Sequence, residues 1–327
     1  MKAVVLVGGL GTRLRPLTSA TPKQMLPVGP RPMIEHVVSH LAAHGVDEVV
    51  LSLGFAPDAF LAAYPGGRCA GVAMRYAVED APLDTAGAIA FAAAAAGVDE
   101  TFLVANGDVL TDLDVSSLIA FHRDRGAAAT IHLTPVEDPS RFGVVPTDDE
   151  GRVQAFIEKP APGTAPTNLI NGGTYVLETS VLERIPAGRP VSIERDTFPG
   201  LAADGRLFAL ASDASWLDAG TPATYLAANL RFAGHLDPSA RVDPTATVTA
   251  SVVGPGAVVA AGAAVASSVL LAGASVGIDA VVGDSILGPC STVGIGAQVR
   301  DLSVIGPRAA VPDGAVLAGG RLPDPGA

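Results

Sequence analysis

Apolar positions in the first two-thirds of the chain fall into short unbroken runs separated by stretches of helical period. Ala3–Val7 is continuously apolar, the pattern of a strand buried on both faces. Arg31–His44 places Ile34, Val37, Val38 and Leu41 on one helical face, with Pro32 suited to the first turn and Gly45 to the stop. Glu48–Leu53 predicts a second strand, and Thr85–Ala96 a helix rich in the best helix former. A strand at Thr101–Ala105, a helix at Val115–Asp124 and a strand at Ala128–Thr134 continue the alternation. This order predicts an α/β fold with a doubly wound, mostly parallel, Rossmann-like sheet.

The texture changes twice afterwards. The segment from Phe142 to Pro160 reads as a hairpin turning at Asp149–Gly151, followed by a strand in NGGTYVL, a helix near Ser180–Ile185 and a helix at Thr221–Phe232. Beyond His235, aliphatic residues recur about every six positions: Val242, Val248, Val259, Val265 and Leu271, then Val293, Val299, Ile305, Val311 and Leu317. Such hexapeptide repeats predict a left-handed parallel β-helix, whose coils are too small to bury their apolar faces except by stacking. The repeat slips near Val253 and around Ile278–Ile286. Two domains are expected, 1–234 and 235–327.

Composition narrows the function. Hydrophobic residues make up 49% of the 327 and charged residues 17%, which suits a chain with a large core. Aromatics are only 5%, so Ala, Val and Leu must fill that core. A net charge of −12 disfavours DNA, RNA and anionic membranes as partners, while a small anion can still be held by a few local cations. Cys69 and Cys290 form no metal spacing and read as reduced, buried thiols. No segment reads as a signal peptide or membrane span, so a cytoplasmic location is expected.

Candidate chemistry begins where the first strand runs into GGLGTRLRPLTSATPK, Gly8–Lys23. Gly8, Gly9 and Gly11 let backbone N–H groups approach a phosphate, Thr12 adds a hydroxyl, and Arg13 and Lys23 add cations. The string matches neither the dinucleotide pattern nor the P-loop, and a glycine cluster alone also fits a plain turn.

The whole string resembles the signature of the sugar-1-phosphate nucleotidyltransferase family. Further similar segments are NGDV (Asn106–Val109), FGVV (Phe142–Val145), FIEKP (Phe156–Pro160), INGGTYV (Ile170–Val176), SIERDTFP (Ser192–Pro199) and WLDAGTPATYLAAN (Trp216–Asn229). The resemblance implies that a sugar-1-phosphate oxygen attacks the α-phosphorus of a nucleoside triphosphate, releasing pyrophosphate. No protein nucleophile is needed, and the sequence offers no convincing one. The resemblance implies Mg²⁺ held by Asp108 and Asp218, and Arg13, Lys23 and Lys159 as catalytic cations. It places Leu6, Gly8, Gly9, Gly11, Thr12, Arg13, Lys23, Glu79, Thr85 and Asp108 against the nucleotide. It places Gly143, Glu158, Lys159, Asn171 and Asp218 against the sugar phosphate. Glu158 and Lys159 are strand neighbours that would point to opposite faces, so the strand must bend or end there. Asp112 and Asp114 read as turn and cap residues.

For the base, the segment VEDAPLDTAGA (Val78–Ala88) is nearest to family members that make GDP-mannose. Glu79 offers only acceptors, and guanine presents the N1–H and 2-amino donors, so GTP with mannose-1-phosphate or a related sugar phosphate is expected. Glucose-1-phosphate with dTTP or UTP is the alternative. Asp84 stands where the family has glycine and is expected to project near base or ribose.

Three features point elsewhere. His36, His40 and His44 share a helical face that could bind a metal, but a solvated polar stripe explains them as well. The β-helix could carry an acyltransferase site, yet no histidine follows His235 to act as its base. A nucleotide-sugar sensor without activity would be expected to lack the cations or carboxylates, and all are present. The tail therefore reads as an oligomerisation or regulatory module, with a homodimer or homotetramer expected.

Overall fold

A computed structural model describes residues 1–54 and 57–324. The chain forms two compact units. One comprises Met1–Gly9 and Ile34–Trp216, the other Leu10–Met33 and Leu217 onward.

The first unit is built on a ten-stranded mixed sheet. From one edge the strands run Arg68–Cys69, Val72–Val78, Glu48–Leu53, Lys2–Leu6, Phe102–Asn106 and Leu169–Leu177. Three of these neighbouring pairs are parallel: Val72–Val78 with Glu48–Leu53, that strand with Lys2–Leu6, and Lys2–Leu6 with Phe102–Asn106. Leu169–Leu177 then enters antiparallel and also pairs with Ala129–Pro135. The continuous apolar runs are explained by burial on both faces: Ala3, Val4 and Val5 are fully inaccessible. The helix Asp84–Ala95 is Ala-rich because it packs tightly: a Cβ on Gly87 would stand 2.9 Å from Leu83 Cβ and 3.1 Å from Arg189 O.

Several local expectations need correction. The first helix is Met33–Ala43; Pro32 lies before it, in a short strand pairing with Pro27–Val28. The segment at Thr179–Arg184 is a 3₁₀-helix. Cys290 is exposed, while Cys69 is buried. His36, His40 and His44 are half-buried instead of solvated, because their helix face packs near the start of the helix Val115–Arg125. His44 Nδ1 lies 2.9 Å from Ser116 Oγ, and burial pulls the His40 pKa down, helped by the neighbouring His44. Asp114 caps that second helix through Ser117 N–H, and Asp112 accepts from Ser215 N–H.

The second unit contains a left-handed parallel β-helix of three five-stranded sheets. Its coils explain the slip in the repeat. Val242 pairs with Val259, Val259 with Val276, and Val276 with Val293, each seventeen residues on. Three full hexapeptides would need eighteen, so one corner of each coil is a residue short. That corner carries buried Ser251, Ser268 and Ser285, and each upper serine N–H donates to the hydroxyl of the serine below, at 3.0 and 3.1 Å. The inward residue after the short corner is therefore Leu270, not Leu271. The next step, Val293 to Val311, is eighteen residues, and the extra one is accommodated at Asp301–Leu302, both with positive φ.

Candidate functional site

In the first unit, Leu6 lies at the carboxyl end of its strand, paired with Ser52 on one side and Asn106 on the other. Ligands of open α/β sheets bind at this edge. Gly8 and Gly9 follow after Val7, and a Cβ on either would meet nothing within 4 Å. Gly9 has φ +99°, a conformation that favours glycine. Asp108 occupies the turn after Phe102–Asn106, tethered by the Gly107 N–H donating to Leu6 O at 2.9 Å.

Glu79 is held from two sides. Ser52 Oγ donates to Oε1 at 3.0 Å and Leu83 N–H to Oε2 at 3.0 Å. An ionised carboxylate has about four acceptor positions, so two remain for a ligand. Thr85 is more fully used: its hydroxyl donates to Glu194 Oε2 at 2.7 Å and accepts from Ile193 N–H at 2.8 Å. Asp84 does not project freely. Its φ is +57°, which explains the value of glycine there, and its carboxylate pairs with Arg195 at 2.9 Å.

The strand Ile157–Glu158 ends where the sequence requires it to. Lys159 has φ +48°, so both neighbours reach the same side, and Lys159 Nζ lies 3.0 Å from Glu158 Oε1. Gly143 faces Glu158 across the pair, and a Cβ there would stand 2.5 Å from Phe156 Cζ. Asn171 lies at a bulge, its Nδ2 donating to Tyr175 Oη at 2.8 Å and its Oδ1 accepting from Gly173 N–H.

Three residues here were not singled out in the sequence. Ser52 orients Glu79. Asn106 fills the space left by Gly173, whose Cβ would stand 2.5 Å from Asn106 Nδ2. Trp216 donates from Nε1 to Gly172 O at 2.9 Å and stacks edge-on against Phe142. The last two lie inside motifs whose neighbours were chosen; Ser52 carries no motif at all.

Beneath the bulge, His132 is fully buried and its pKa is pushed down to about 4 by desolvation. An unfolded histidine titrates near 6.5. The folded protein therefore binds fewer protons between these values, and stability falls as pH drops through that window. Stability should lose about 2 kcal/mol by pH 5 from this residue. Urea unfolding at pH 7 and pH 5 checks this: His132→Gln should show a smaller loss than the wild type.

In the second unit, Gly11 (φ +56°) opens the 3₁₀ turn Thr12–Leu14, and Thr18 Oγ1 donates to Gly11 O at 2.7 Å. Thr12 and Arg13 are exposed on that turn. Lys23 lies alongside, its Cβ 3.4 Å from where a Gly11 Cβ would be. Arg13 and Asp218 converge on Gly220: a Cβ there would stand 2.7 Å from Asp218 Oδ1 and 2.8 Å from Arg13 Nη2. Thr221 then caps the helix Pro222–Leu230 in a reciprocal box with Thr224, which fixes the chain just after Gly220.

Among the described residues no group of three His, Cys, Asp or Glu gathers as a closed metal cage. Asp108 in the first unit and Asp218 in the second are each hard carboxylates, the donor type that a small divalent cation takes alongside phosphates and waters.

Comparison with known proteins gives a consistent answer. The family model described as nucleotidyl transferase matches residues 2–234, and that described as GMPPB C-terminal domain matches 233–323. A mannose-1-phosphate guanylyltransferase of Mycobacterium tuberculosis is 44% identical over 72% of this chain and 66% of its own length. A probable mannose-1-phosphate guanylyltransferase 1 of Oryza sativa is 42% identical over 69% and 63%. The chain thus aligns with under two-thirds of each relative's length. HddC from Yersinia pseudotuberculosis, whose structure is also known in complex with GMP-PN, superimposes with a TM-score of 0.62 at 30% identity, covering 71% of this chain and 99% of that one. A putative glucose-1-phosphate thymidylyltransferase from Bacillus anthracis gives 0.65 at 27%, covering 71% and 95%. No helix among the described residues is long and apolar enough to cross a membrane. Nucleotidyltransferases of this family act on a nucleoside triphosphate and a sugar-1-phosphate and generally use a divalent metal. With the match running through 233 consecutive positions of its amino-terminal part, this chain belongs to the nucleotidyl transferase family.

Proposed function

We propose that the chain transfers a guanylyl group from GTP to mannose-1-phosphate or a closely related sugar phosphate, releasing pyrophosphate in a Mg²⁺-dependent reaction. The observation that carries the base assignment is Glu79, an acceptor-only side chain held in place by Ser52 and Leu83. The guanylyltransferase names of the relatives and the GMP-PN complex of HddC support it.

In this reading the backbone of Gly8, Gly9 and Gly11 and the side chains of Thr12, Arg13 and Lys23 bind the triphosphate. Leu6 and Thr85 shape the nucleotide pocket, Thr85 through its hold on Glu194 and Ile193. Lys159 holds the sugar phosphate, Glu158 and Asn171 accept or donate to sugar hydroxyls, and the Gly143 backbone lies against the ring. Asp108 and Asp218 are the carboxylates that would hold Mg²⁺, which supplies charge neutralisation at the phosphates. The protein's own contribution is to bring two anions together in line and to stabilise the leaving pyrophosphate with cations. Residues 1–234 form the catalytic domain and 235–327 an assembly domain, and the protein works as a cytoplasmic homodimer or homotetramer.

A matrix of GTP, dTTP, UTP and ATP against hexose-1-phosphates, read as pyrophosphate release, tests the reading. Release with GTP and mannose-1-phosphate is expected. The likeness to a thymidylyltransferase structure makes preferential use of dTTP with glucose-1-phosphate the second reading. No release in any well would point to a sensor.

The Asp84–Arg195 pair has its own expectation. An exposed ion pair contributes about 0–1 kcal/mol, and relief of a left-handed backbone by glycine returns about 1–2 kcal/mol. Asp84→Gly should therefore leave the thermal midpoint unchanged or slightly raised. A fall of several degrees in a thermal melt would mean that the pair, not the backbone, decides this position.

A further inference from the structure

The segment Leu10–Met33, which carries Arg13 and Lys23, belongs to the same compact unit as the β-helix. Its contacts there are specific. Arg321, in the last strand of the β-helix, donates from Nη1 to Arg15 O at 2.9 Å. One coil earlier, Gly306 lies against buried Pro16: a Cβ at Gly306 would stand 2.8 Å from Pro16 Cβ and Cγ and 3.1 Å from Leu322 O. Gly306 N–H donates to Leu322 O, so these two coils form one paired surface beneath Arg15–Pro16.

The contact lies two residues from Arg13. Between them runs a tight turn in which Leu14 N–H donates to Gly11 O and Arg15 N–H to Thr12 O, at 2.9 and 3.2 Å. Leu14 and Leu17 are buried, so the turn cannot swing without breaking its packing. Fixing the carbonyl of Arg15 therefore fixes the backbone from Gly11 to Arg13. A charged donor on a backbone carbonyl is among the stronger hydrogen bonds available for that task.

We propose that Arg321 and Gly306, at the end of the β-helix, are positioning residues for triphosphate binding: they set where the loop Gly11–Arg13 stands. This rests on the reading that the loop binds the triphosphate. Neither residue touches substrate; both act through Arg15 and Pro16.

The test is steady-state kinetics of the full chain, comparing Arg321→Ala, Arg321→Lys, Gly306→Ala, Arg13→Ala and, as control, Arg308→Ala at an exposed site of the same region. Arg321→Ala and Gly306→Ala should each raise KM for the triphosphate about tenfold, with KM for the sugar phosphate unchanged. Arg321→Lys, which keeps a donor, should recover part of the loss, and Arg308→Ala should match the wild type. Wild-type triphosphate KM in both Arg321→Ala and Gly306→Ala, alongside a raised value in Arg13→Ala, would overturn the proposal. Equal rises in both KM values would also overturn it, as a merely structural effect. An unaffected Arg13→Ala would instead remove the reading of the loop on which the proposal rests.

Discussion

Asp218→Asn should lower kcat by about two to three orders of magnitude while leaving the fold intact. The substitution keeps the shape of the side chain and removes its charge. Asp218 ends the strand Trp216–Asp218 and is followed by Gly220 and a reciprocally capped helix, so its backbone is held independently of its carboxylate. What the variant loses is therefore the anionic ligand, and with it the cation's hold on the phosphates. Asp108→Asn should behave alike, since its turn is pinned through the backbone hydrogen bond from Gly107 N–H to Leu6 O. Pyrophosphate release at saturating substrates, with far-ultraviolet circular dichroism as the control on folding, makes the measurement. Near-normal turnover in either variant would remove that residue from the metal site.

Gly220→Ala is the second large effect. One methyl group would enter space 2.7 Å from Asp218 Oδ1 and 2.8 Å from Arg13 Nη2. The Arg13 guanidinium is the end of a long, exposed side chain and can swing away at little cost in stability; the short Asp218 side chain has less freedom. Both groups are displaced by a fraction of an ångström or more. Misplacement on that scale costs up to about a hundredfold in rate. The variant should thus keep a near-wild-type unfolding midpoint in urea and lose about ten- to a hundredfold in kcat/KM. A variant that unfolds early but works at the normal rate would place Gly220 in the architecture and not in the chemistry.

The chain's own pattern carried most of the fold. Continuous apolar runs marked the central parallel strands because those strands are buried on both faces, and alternation with helices gave their direction. Val72–Val78 is not legible as a strand because Arg75 and an exposed Val78 interrupt its apolar character near the sheet edge. The β-helix was visible as a period of six, but its true coil is mostly seventeen residues, and a short corner lined by buried serines looks polar in sequence. Counting apolar residues alone therefore selected Leu271 where Leu270 points inward.

The site was legible to the extent that its residues sit in contiguous motifs. Lys159 illustrates the limit: a strand break was required for it to act beside Glu158, and the positive φ that supplies the break is invisible in composition. Interactions that join distant residues were not legible. Ser52 with Glu79, Thr85 with Glu194, and Asp84 with Arg195 all depend on which loops the sheet order brings together. Asp84 in particular is expected from the sequence to project near base or ribose, and its carboxylate pairs with a cation from a segment 111 residues away.

The central claim is guanylyl transfer to a sugar phosphate. Its most direct test is to incubate the purified chain with GTP, mannose-1-phosphate and Mg²⁺ and to quantify both products by anion-exchange chromatography. Equimolar GDP-mannose and pyrophosphate, appearing together and only when all three components are present, is the expected result. GTP consumed without a nucleotide-sugar, or no GDP-mannose under conditions where dTTP and glucose-1-phosphate react, would contradict it.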